Sequence, residues 1–276
     1  MIYVTKADGS KQLFDKQKII LTCINLGLKY EQAIDVSNEI EKKIYDGIHT
    51  RKILQMIFKI ASNYKPNLKH RIDLRESISL LRPKPDFEKF VSLILKELGY
   101  EIQTNLIIPG KCVEHEIDIV AVNKEEYLLV EVKHHVNPHT IVPIDVFLEV
   151  NSVFEDIKEG FYLKKHSFNF TNIFVICNTK ISSNAVKYAI CKNIKVLAWK
   201  YPIEKGLEKL IEEKKLYPIT ILKDIEIEEA YKLFDIGILT LKQLLSRDSK
   251  EIYYSSKINL KRINYLQEKA KLIMEM

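Results

Sequence analysis

The chain has 276 residues, of which 46% are apolar and 29% are charged, a composition typical of soluble globular proteins that build hydrophobic cores. No apolar run approaches the roughly 18 residues of a membrane-spanning helix, and the first twenty residues carry several charges, so the sequence predicts neither a membrane anchor nor a signal peptide. Cys23, Cys112, Cys177 and Cys191 form no C-x-x-C pair, which argues against a zinc ribbon and favours a reducing cytoplasm.

The formal net charge of +6 is concentrated near the N-terminus. Residues 1–82 hold 15 Lys and Arg against 9 Asp and Glu, whereas the rest of the chain is nearly neutral. A basic surplus suits a phosphate-bearing partner, and it equally suits a solvated surface.

The first predicted domain, residues 1–82, combines a short β-hairpin with helices. Two short strands flank the turn at Asp8-Gly9. Three helices follow; Asp15 and Thr50 are predicted N-caps of the first and third, and Gly27 ends the first. The two prolines of "RPKP" (82–85) predict a linker, with Pro85 beginning the next helix.

The second predicted domain, residues 83–220, reads as a mixed sheet flanked by helices. An amphipathic helix at 87–98 precedes strands at 101–108, 117–122 and 127–133. A longer helix at 147–157 leads to the wholly apolar "IFVIC" (173–177), which predicts a buried strand. Ser182 or Ser183 caps a further helix, and "IKVLAW" adds a strand, so the order αβββαβ predicts an α/β or α+β fold.

The third predicted domain, residues 221–276, is small and helical. One helix is expected before Gly237, another after Thr240, and a helical tail follows. The stretch "LFDIGILTLKQLL" resembles half of a helix-hairpin-helix, in which the turn glycine lets backbone N–H groups approach a DNA phosphate. Packing or oligomerisation explains the same pattern.

Charged side chains cluster at the ends of two predicted strands in the second domain. Because side chains alternate between the faces of a strand, Glu116 should share a face with Asp118, and Glu131 with Lys133. The "NKEE" connection predicts a hairpin that brings Asp118 beside Glu131, two carboxylates at a spacing suited to Mg²⁺. Glu88, on the preceding helix, supplies a third carboxylate, and Lys133 is placed to orient a water or stabilise a phosphate.

The same charges also fit the solvated rim of a hairpin. Similar triplets occur at Glu41-Lys42-Lys43 and Glu212-Glu213-Lys214, on helices expected to face solvent. The strand context of the Glu131 triplet favours a metal site, but the residues alone leave both interpretations open. Four nearby histidines fit no standard ligand spacing and are not expected to bind metal: His115, His134, His135 and His139.

Asp118 followed by Glu131-Val132-Lys133 resembles the motif of the PD-(D/E)xK nuclease superfamily, and more closely the Mrr-like restriction endonuclease domains. Glu88 in "DFEKFVSLILKELGY" matches the acid often found on the first helix, whereas Ile117 replaces the leading proline. The resemblance implies DNA phosphodiester hydrolysis with Mg²⁺ or Mn²⁺, in which Asp118, Glu131 and Glu88 hold the metal and Lys133 assists the water. A homodimer is expected if both strands are cut, because that requires two active sites.

The stretches "VTKADGSKQLFDKQKI" and "IYDGIHTRKIL" resemble the ATP-cone, the allosteric nucleotide-binding module of ribonucleotide reductases. Ala7 stands where the V-x-K-R motif has its second basic residue, which removes a bidentate phosphate contact and keeps a purely structural cone as an alternative. The nucleotide contacts that the resemblance implies, for ATP or dATP, are Val4, Lys6, Lys18, Thr50 and Ile53.

The sequence therefore predicts a nucleotide-responsive, Mg²⁺-dependent DNA endonuclease of the cytoplasm. A catalytically inactive nucleic-acid-binding or regulatory protein on the same nuclease scaffold is the alternative. Comparing the DNA cleavage of the wild type with that of Asp118→Ala separates the two hypotheses.

Overall fold

The architecture comes from a computed structural model that describes residues 1–275. In this part of the chain the strands are β1 (Tyr3–Thr5), β2 (Lys11–Leu13), β3 (Ile48–His49), β4 (Glu101–Pro109), β5 (Glu114–Val122), β6 (Tyr127–Lys133), β7 (Ile141–Val142), β8 (Asn172–Cys177), β9 (Lys180–Ile181) and β10 (Lys195–Leu197). The α-helices are α1 (Lys16–Asn25), α2 (Tyr30–Glu41), α3 (Thr50–Ala61), α4 (Leu74–Ser79), α5 (Glu88–Glu97), α6 (Ile144–Tyr162), α7 (Ser183–Cys191), α8 (Leu207–Lys214), α9 (Ile227–Asp235), α10 (Leu241–Ser246), α11 (Ser249–Ser256) and α12 (Leu260–Met274). Shorter helical turns span Pro66–His70, Pro83–Phe87 and Ile219–Ile221.

The chain forms two compact units that each combine distant parts of the sequence. The first unit contains residues 1–72, 222–225 and 259–275, and the second contains residues 73–221 and 226–258. These units do not coincide with the three predicted domains 1–82, 83–220 and 221–276. Helix α12 joins the first unit because it packs on the turn Pro66–His70, where Asn67 Nδ2 donates to the carbonyl of Leu272 at 3.1 Å.

The first boundary between the two units falls between residues 72 and 73, so α4 belongs to the second unit. Thr220 Oγ1 donates to the carbonyl of Ser77 at 2.7 Å, and both groups are buried. The prolines at 83 and 85 therefore lie within the second unit. Prolines mark where regular structure breaks, whereas packing decides to which unit a segment belongs.

The first unit is a three-stranded sheet with helices packed on it. The strand order is β2-β1-β3, with β1 antiparallel to β2 and parallel to β3. Asp15 caps α1 by accepting the N–H of Gln17 at 2.9 Å, as predicted. Thr50 is not the cap of α3: His49 occupies that position without a side-chain cap bond, and Thr50 is the first helical residue. His49 pairs with β1 as the last residue of β3, so the strand runs directly into the helix.

The second unit is built on a mixed five-stranded sheet of order β10-β8-β6-β5-β4. Strands β4, β5 and β6 form an antiparallel meander, and β8 runs parallel to both β6 and β10. Helix α6 buries Phe147 and Val150 in the same core as Val175 of β8, and α5 packs against β4 and β5. The protein is thus a mixed α and β structure of more than one unit, with the αβββαβ order expected from the sequence.

Helical structure begins at Pro85, as predicted. Lys84 is extended, with φ −123° and ψ 135°, and the helical turn that follows it runs directly into α5 at Glu88. A residue that precedes proline is disfavoured in the helical region, so Pro85 itself holds Lys84 in this conformation. Arg82 anchors the turn through a two-pronged pair with Asp86 and a 2.6 Å contact with Asp235 Oδ1.

The C-terminal region is helical, as expected, but its turn at Gly237 does not offer free N–H groups. Gly237 has φ +79°, and its N–H and that of Ile238 donate to the carbonyls of Phe234 and Leu233. The next two N–H groups, of residues 239 and 240, both donate to Gln243 Oε1. All four donors are used within the chain, so this turn lacks the phosphate-binding geometry of a helix-hairpin-helix. None of the helices in residues 1–275 is long and apolar enough to cross a membrane.

Candidate active site

Asp118 lies where the β5–β6 ladder ends. The last paired positions are Ile119 and Val130, and the next step along each strand is Asp118 and Glu131. At this point the backbone N–H of Val132 donates to Asp118 Oδ2 at 3.0 Å. Asp118 is buried, with 8% of its surface exposed. A buried carboxylate held by a backbone donor has a defined orientation, as a metal ligand requires.

The neighbouring strand β4 is distorted at the same level. Thr104 pairs with Ile119 and Leu106 pairs with Ile117, so Asn105 stands opposite Asp118 without a pair in the ladder. Asn105 has φ +54°, a left-handed conformation that asparagine tolerates better than most residues. The sheet is therefore locally irregular around Asp118, a feature that occurs often beside active sites.

Glu131 and Lys133 share one face of β6, as strand alternation predicts, and Glu131 Oε1 lies 2.7 Å from Lys133 Nζ. Burial raises the pKa of Glu131, and the negative charge of Asp118 acts in the same direction. Burial by itself lowers the pKa of Lys133, but the hydrogen bond and charge of Glu131 outweigh it, so the net shift is upward. Lys133 is therefore a cation at neutral pH.

Glu88 begins α5 and is buried, with 5% of its surface exposed. The pKa of this carboxyl is raised, first by burial and then by the charge of Asp118. Its Oε1 lies 3.2 Å from Lys84 Nζ but is shielded from water and lacks a well-directed hydrogen bond. A buried oxygen of this kind can accept a stronger ligand than it has here.

Lys84 contacts three carboxylates, a role that was not predicted from the sequence. Its Nζ lies 3.2 Å from Glu88 Oε1, 3.2 Å from Glu116 Oε1 and 3.1 Å from Asp118 Oδ1. Burial opposes its charge, but the bonds to Asp118 and Glu116 outweigh that effect, and the pKa of Lys84 is raised. Glu116 and Asp118 thus face the same side of β5, as the alternation rule predicted.

The donor set fits a hard divalent cation. Among residues 1–275 no group of three or more His, Cys, Asp or Glu is already arranged as a metal site. Mg²⁺ needs only one or two protein carboxylates besides its waters, and Asp118, Glu88 and Glu131 offer oxygens only. The incompletely bonded Oε1 of Glu88, with an ammonium beside it, shows that this place accommodates positive charge.

The histidines next to the site make structural contacts. His134 Nε2 lies 3.0 Å from the carbonyl of Ile78, and its ring packs 4.9 Å from that of Phe87. Burial lowers the pKa of His134. The backbone of His135 exchanges two hydrogen bonds with the amide of Asn178. These contacts hold the residues that follow β6 and the start of α5 in place.

Two aspartates of α6, Asp145 and Asp156, lie outside the cluster. Asp145 is exposed, and Asp156 binds the β4–β5 loop through the N–H of Cys112 and through His115 Nε2. Glu149, which the sequence analysis missed, lies near enough to β6 for its charge to raise the pKa of Glu131. Glu149 lies on an exposed face of α6, and no motif or periodicity in the sequence distinguishes it from other exposed acids.

The predicted nucleotide contacts fall into two groups in the first unit. Val4 and Ile53 are buried in its core, whereas Lys6 and Lys18 are exposed and Thr50 is half-buried. The β1–β3 register pairs Thr5 with His49, so Lys6 follows β1 where Thr50 begins α3. Val4 and Ile53 therefore contribute to the hydrophobic core. Lys6, Lys18 and Thr50 are accessible to a ligand at the surface.

Comparisons with known proteins match two parts of the chain. The family described as "Nuclease-related domain" matches residues 85–179, a range that contains Glu88, Asp118, Glu131 and Lys133. The family described as "AF1548-like, C-terminal" matches residues 217–274. Neither match covers residues 1–84, so the ATP-cone stays a prediction.

Two relatives from these comparisons have no described activity. An "Uncharacterized protein" of Archaeoglobus fulgidus is 36% identical over 166 residues, which are 58% of this chain and 86% of the relative. The structure titled "Crystal Structure of Protein of Unknown Function AF1548" is 31% identical, with a TM-score of 0.58, over 74% of this chain and 100% of the other. The chain therefore belongs to the AF1548-like family and carries a nuclease-related domain.

Proposed function

We propose that this protein is a Mg²⁺-dependent DNA endonuclease. The observation that carries the proposal is the convergence of Asp118, Glu131 and Lys133 at the end of the β5–β6 hairpin. Glu88 reaches the same cluster from α5, with Lys84 between its carboxylate and that of Asp118. The match to a nuclease-related domain over these residues supports the assignment of nuclease chemistry.

Each residue has a separate task in the proposed reaction. Asp118, Glu131 and Glu88 hold the cation, and Asp118 is oriented by the N–H of Val132. When bound, Mg²⁺ supplies an acidified water and neutralises charge on the phosphodiester. Lys133, kept protonated by Glu131, orients the attacking water or stabilises the negative charge that develops on the phosphate.

Cleavage assays with matched variants test this proposal. Wild type, Asp118→Asn and the control Glu125→Gln, whose exposed side chain lies in the β5–β6 turn, are incubated with Mg²⁺ or Mn²⁺ on plasmid, branched and single-stranded DNA. Asp118→Asn is expected to lose cleavage by about 10²-fold or more, and the control to keep it. Equal cleavage, or its equal absence, in wild type and Asp118→Asn would favour the catalytically inactive DNA-binding scaffold.

We also infer that the first unit binds ATP or dATP. The supporting observation is that the exposed Lys6 follows β1 beside Thr50, the first residue of α3. Lys18, on α1, is the second predicted phosphate contact. Isothermal titration is expected to show binding that Lys6→Ala weakens; no binding at millimolar nucleotide would leave the unit a structural element.

We further propose that the enzyme acts as a homodimer, because cleavage of both DNA strands requires two active sites. Light scattering during gel filtration measures the mass directly, against 32.3 kDa for one chain. A monomer at cleavage-competent concentrations, with or without DNA, would exclude the dimer and leave single-strand nicking as the reaction.

A further inference from the structure

We propose that Lys84 is a tethered counter-ion that competes with the divalent cation for Glu88 and Asp118. The inference rests on the proposed function, because it concerns the same carboxylates. It assigns a role to a residue outside the nuclease motif, and it makes metal binding and the withdrawal of Lys84 a single event.

The ammonium group of Lys84 lies among the carboxylates of the candidate site. One ammonium group contacts the oxygens of three carboxylates from two elements, the start of α5 and strand β5. Two of them, Glu88 and Asp118, are buried, so their negative charges need a cation nearby. Lys84 supplies such a cation.

The backbone of Lys84 is held, whereas its side chain is free to leave. Pro83 and Pro85 flank the residue, and the pair between Arg82 and Asp86 closes the turn around it. The side chain of Lys84 is 58% exposed, and it is long and flexible. The ammonium can therefore swing into solvent without any change in the fold.

Electrostatics prevents the lysine and a metal ion from sharing these oxygens. A cation held by Glu88 and Asp118 would compete for the oxygens that Lys84 contacts, and two positive charges at such separation repel. Metal binding would therefore displace the ammonium. The apparent metal affinity is lowered by the strength of the contacts that Lys84 gives up.

Direct metal binding, without any assay of cleavage, tests the proposal. Free Mn²⁺ is followed by electron paramagnetic resonance in titrations of wild type, Lys84→Met and Lys89→Met. Lys89 is an exposed lysine of α5, so its variant controls for the loss of one positive charge. Lys84→Met is expected to bind Mn²⁺ more tightly than wild type by on the order of three- to tenfold, the free energy that exposed ion pairs typically contribute. Lys89→Met is expected to bind Mn²⁺ with the affinity of wild type.

Two further variants keep the test decisive. Lys84→Gln removes the charge but keeps a polar side chain, and it replaces Lys84→Met if the latter fails to fold by circular dichroism. Asp118→Asn is expected to abolish the bound Mn²⁺ in both the wild-type and the Lys84→Met background. Mn²⁺ binding that is unchanged by Asp118→Asn would refute the metal site of the proposed function. Mn²⁺ binding that depends on Asp118 but is equal or weaker in Lys84→Met and Lys84→Gln than in wild type would overturn only the role of Lys84.

Discussion

Val132 donates its backbone N–H to Oδ2 of Asp118 at 3.0 Å, so the β5–β6 ladder is extended by a bond from backbone to side chain. This bond holds one oxygen of the carboxylate, while Oδ1 faces Lys84. Charge-assisted bonds from backbone donors are strong and directional. Asp118 is thus preorganised by the hairpin that also carries Glu131 and Lys133.

Lys133→Met is expected to reduce DNA cleavage by about a hundredfold or more, while Mn²⁺ binding is retained. Lys133 is paired with Glu131, and in the proposed reaction it would supply positive charge and not a ligand to the metal. Single-turnover cleavage and Mn²⁺ titration measure the two effects separately. Lys124→Met, in the exposed β5–β6 turn, is the matched control, and full activity of Lys133→Met would remove the lysine from the mechanism.

Glu88→Gln is expected to stabilise the metal-free protein at neutral pH by on the order of 1 kcal/mol. Burial, followed by the charge of Asp118, raises the pKa of Glu88 above its ordinary value of 4.5. A raised carboxyl pKa contributes stability that is present at acid pH and is lost as the pH rises through the folded-state pKa. Glutamine avoids that loss.

Urea unfolding at pH 4 and pH 7 with a chelator measures this difference. The advantage of Glu88→Gln should grow from the lower to the higher pH, whereas Glu125→Gln should show no such growth. A Glu88→Gln protein that is less stable than wild type at pH 7 would mean that the contact with Lys84 outweighs the cost of burial.

Asp156→Asn is expected to lower the melting temperature at neutral pH and to expose the β4–β5 loop. Asp156 accepts bonds from His115 Nε2 at 2.8 Å and from the N–H of Cys112 at 2.9 Å. The bond from His115, followed by those from Cys112 and Val113, outweighs burial and lowers the pKa of Asp156 from its ordinary value of 3.8. A lowered carboxyl pKa contributes stability that is present above the ordinary value and is lost as the pH falls through the folded-state pKa.

Thermal melts between pH 3 and pH 7 check this sign. The deficit of Asp156→Asn should be largest at pH 7 and should narrow toward pH 3. Glu155→Gln is the control on the same helix, since glutamine still accepts the bond from Asn151. A deficit that stays constant over the whole range would show that the charge of Asp156 is not the cause.

Gly160→Ala is expected to destabilise the protein by about 1–3 kcal/mol. A Cβ at this position of α6 would lie 2.6 Å from the carbonyl oxygen of Pro109 and 2.9 Å from the backbone of Gly110, which cannot move aside as a flexible side chain would. Urea unfolding measures the loss. Ser152→Ala, an exposed substitution on the same helix, should change stability little, and an equally stable Gly160→Ala would show that β4 and α6 separate easily.

Local patterns predicted most of the fold. The strands around the hairpin, the Asp15 cap and the buried β8 all follow from side-chain periodicity and turn chemistry, which act between near neighbours. The predicted helix start at Pro85 follows from the same local rules, because Pro85 holds Lys84 out of the helical region. The predicted Thr50 cap was wrong, because the strand β3 leads directly into α3.

The sequence by itself determined which side chains share a face at the candidate site, because alternation along a strand is a local property: Glu116 with Asp118, and Glu131 with Lys133. Only the tertiary structure decided that Lys84 stands among Glu88, Glu116 and Asp118, because that meeting depends on how the turn before α5 packs against β5. The division into two units was decided there as well, since contacts between distant segments have no signature in local periodicity.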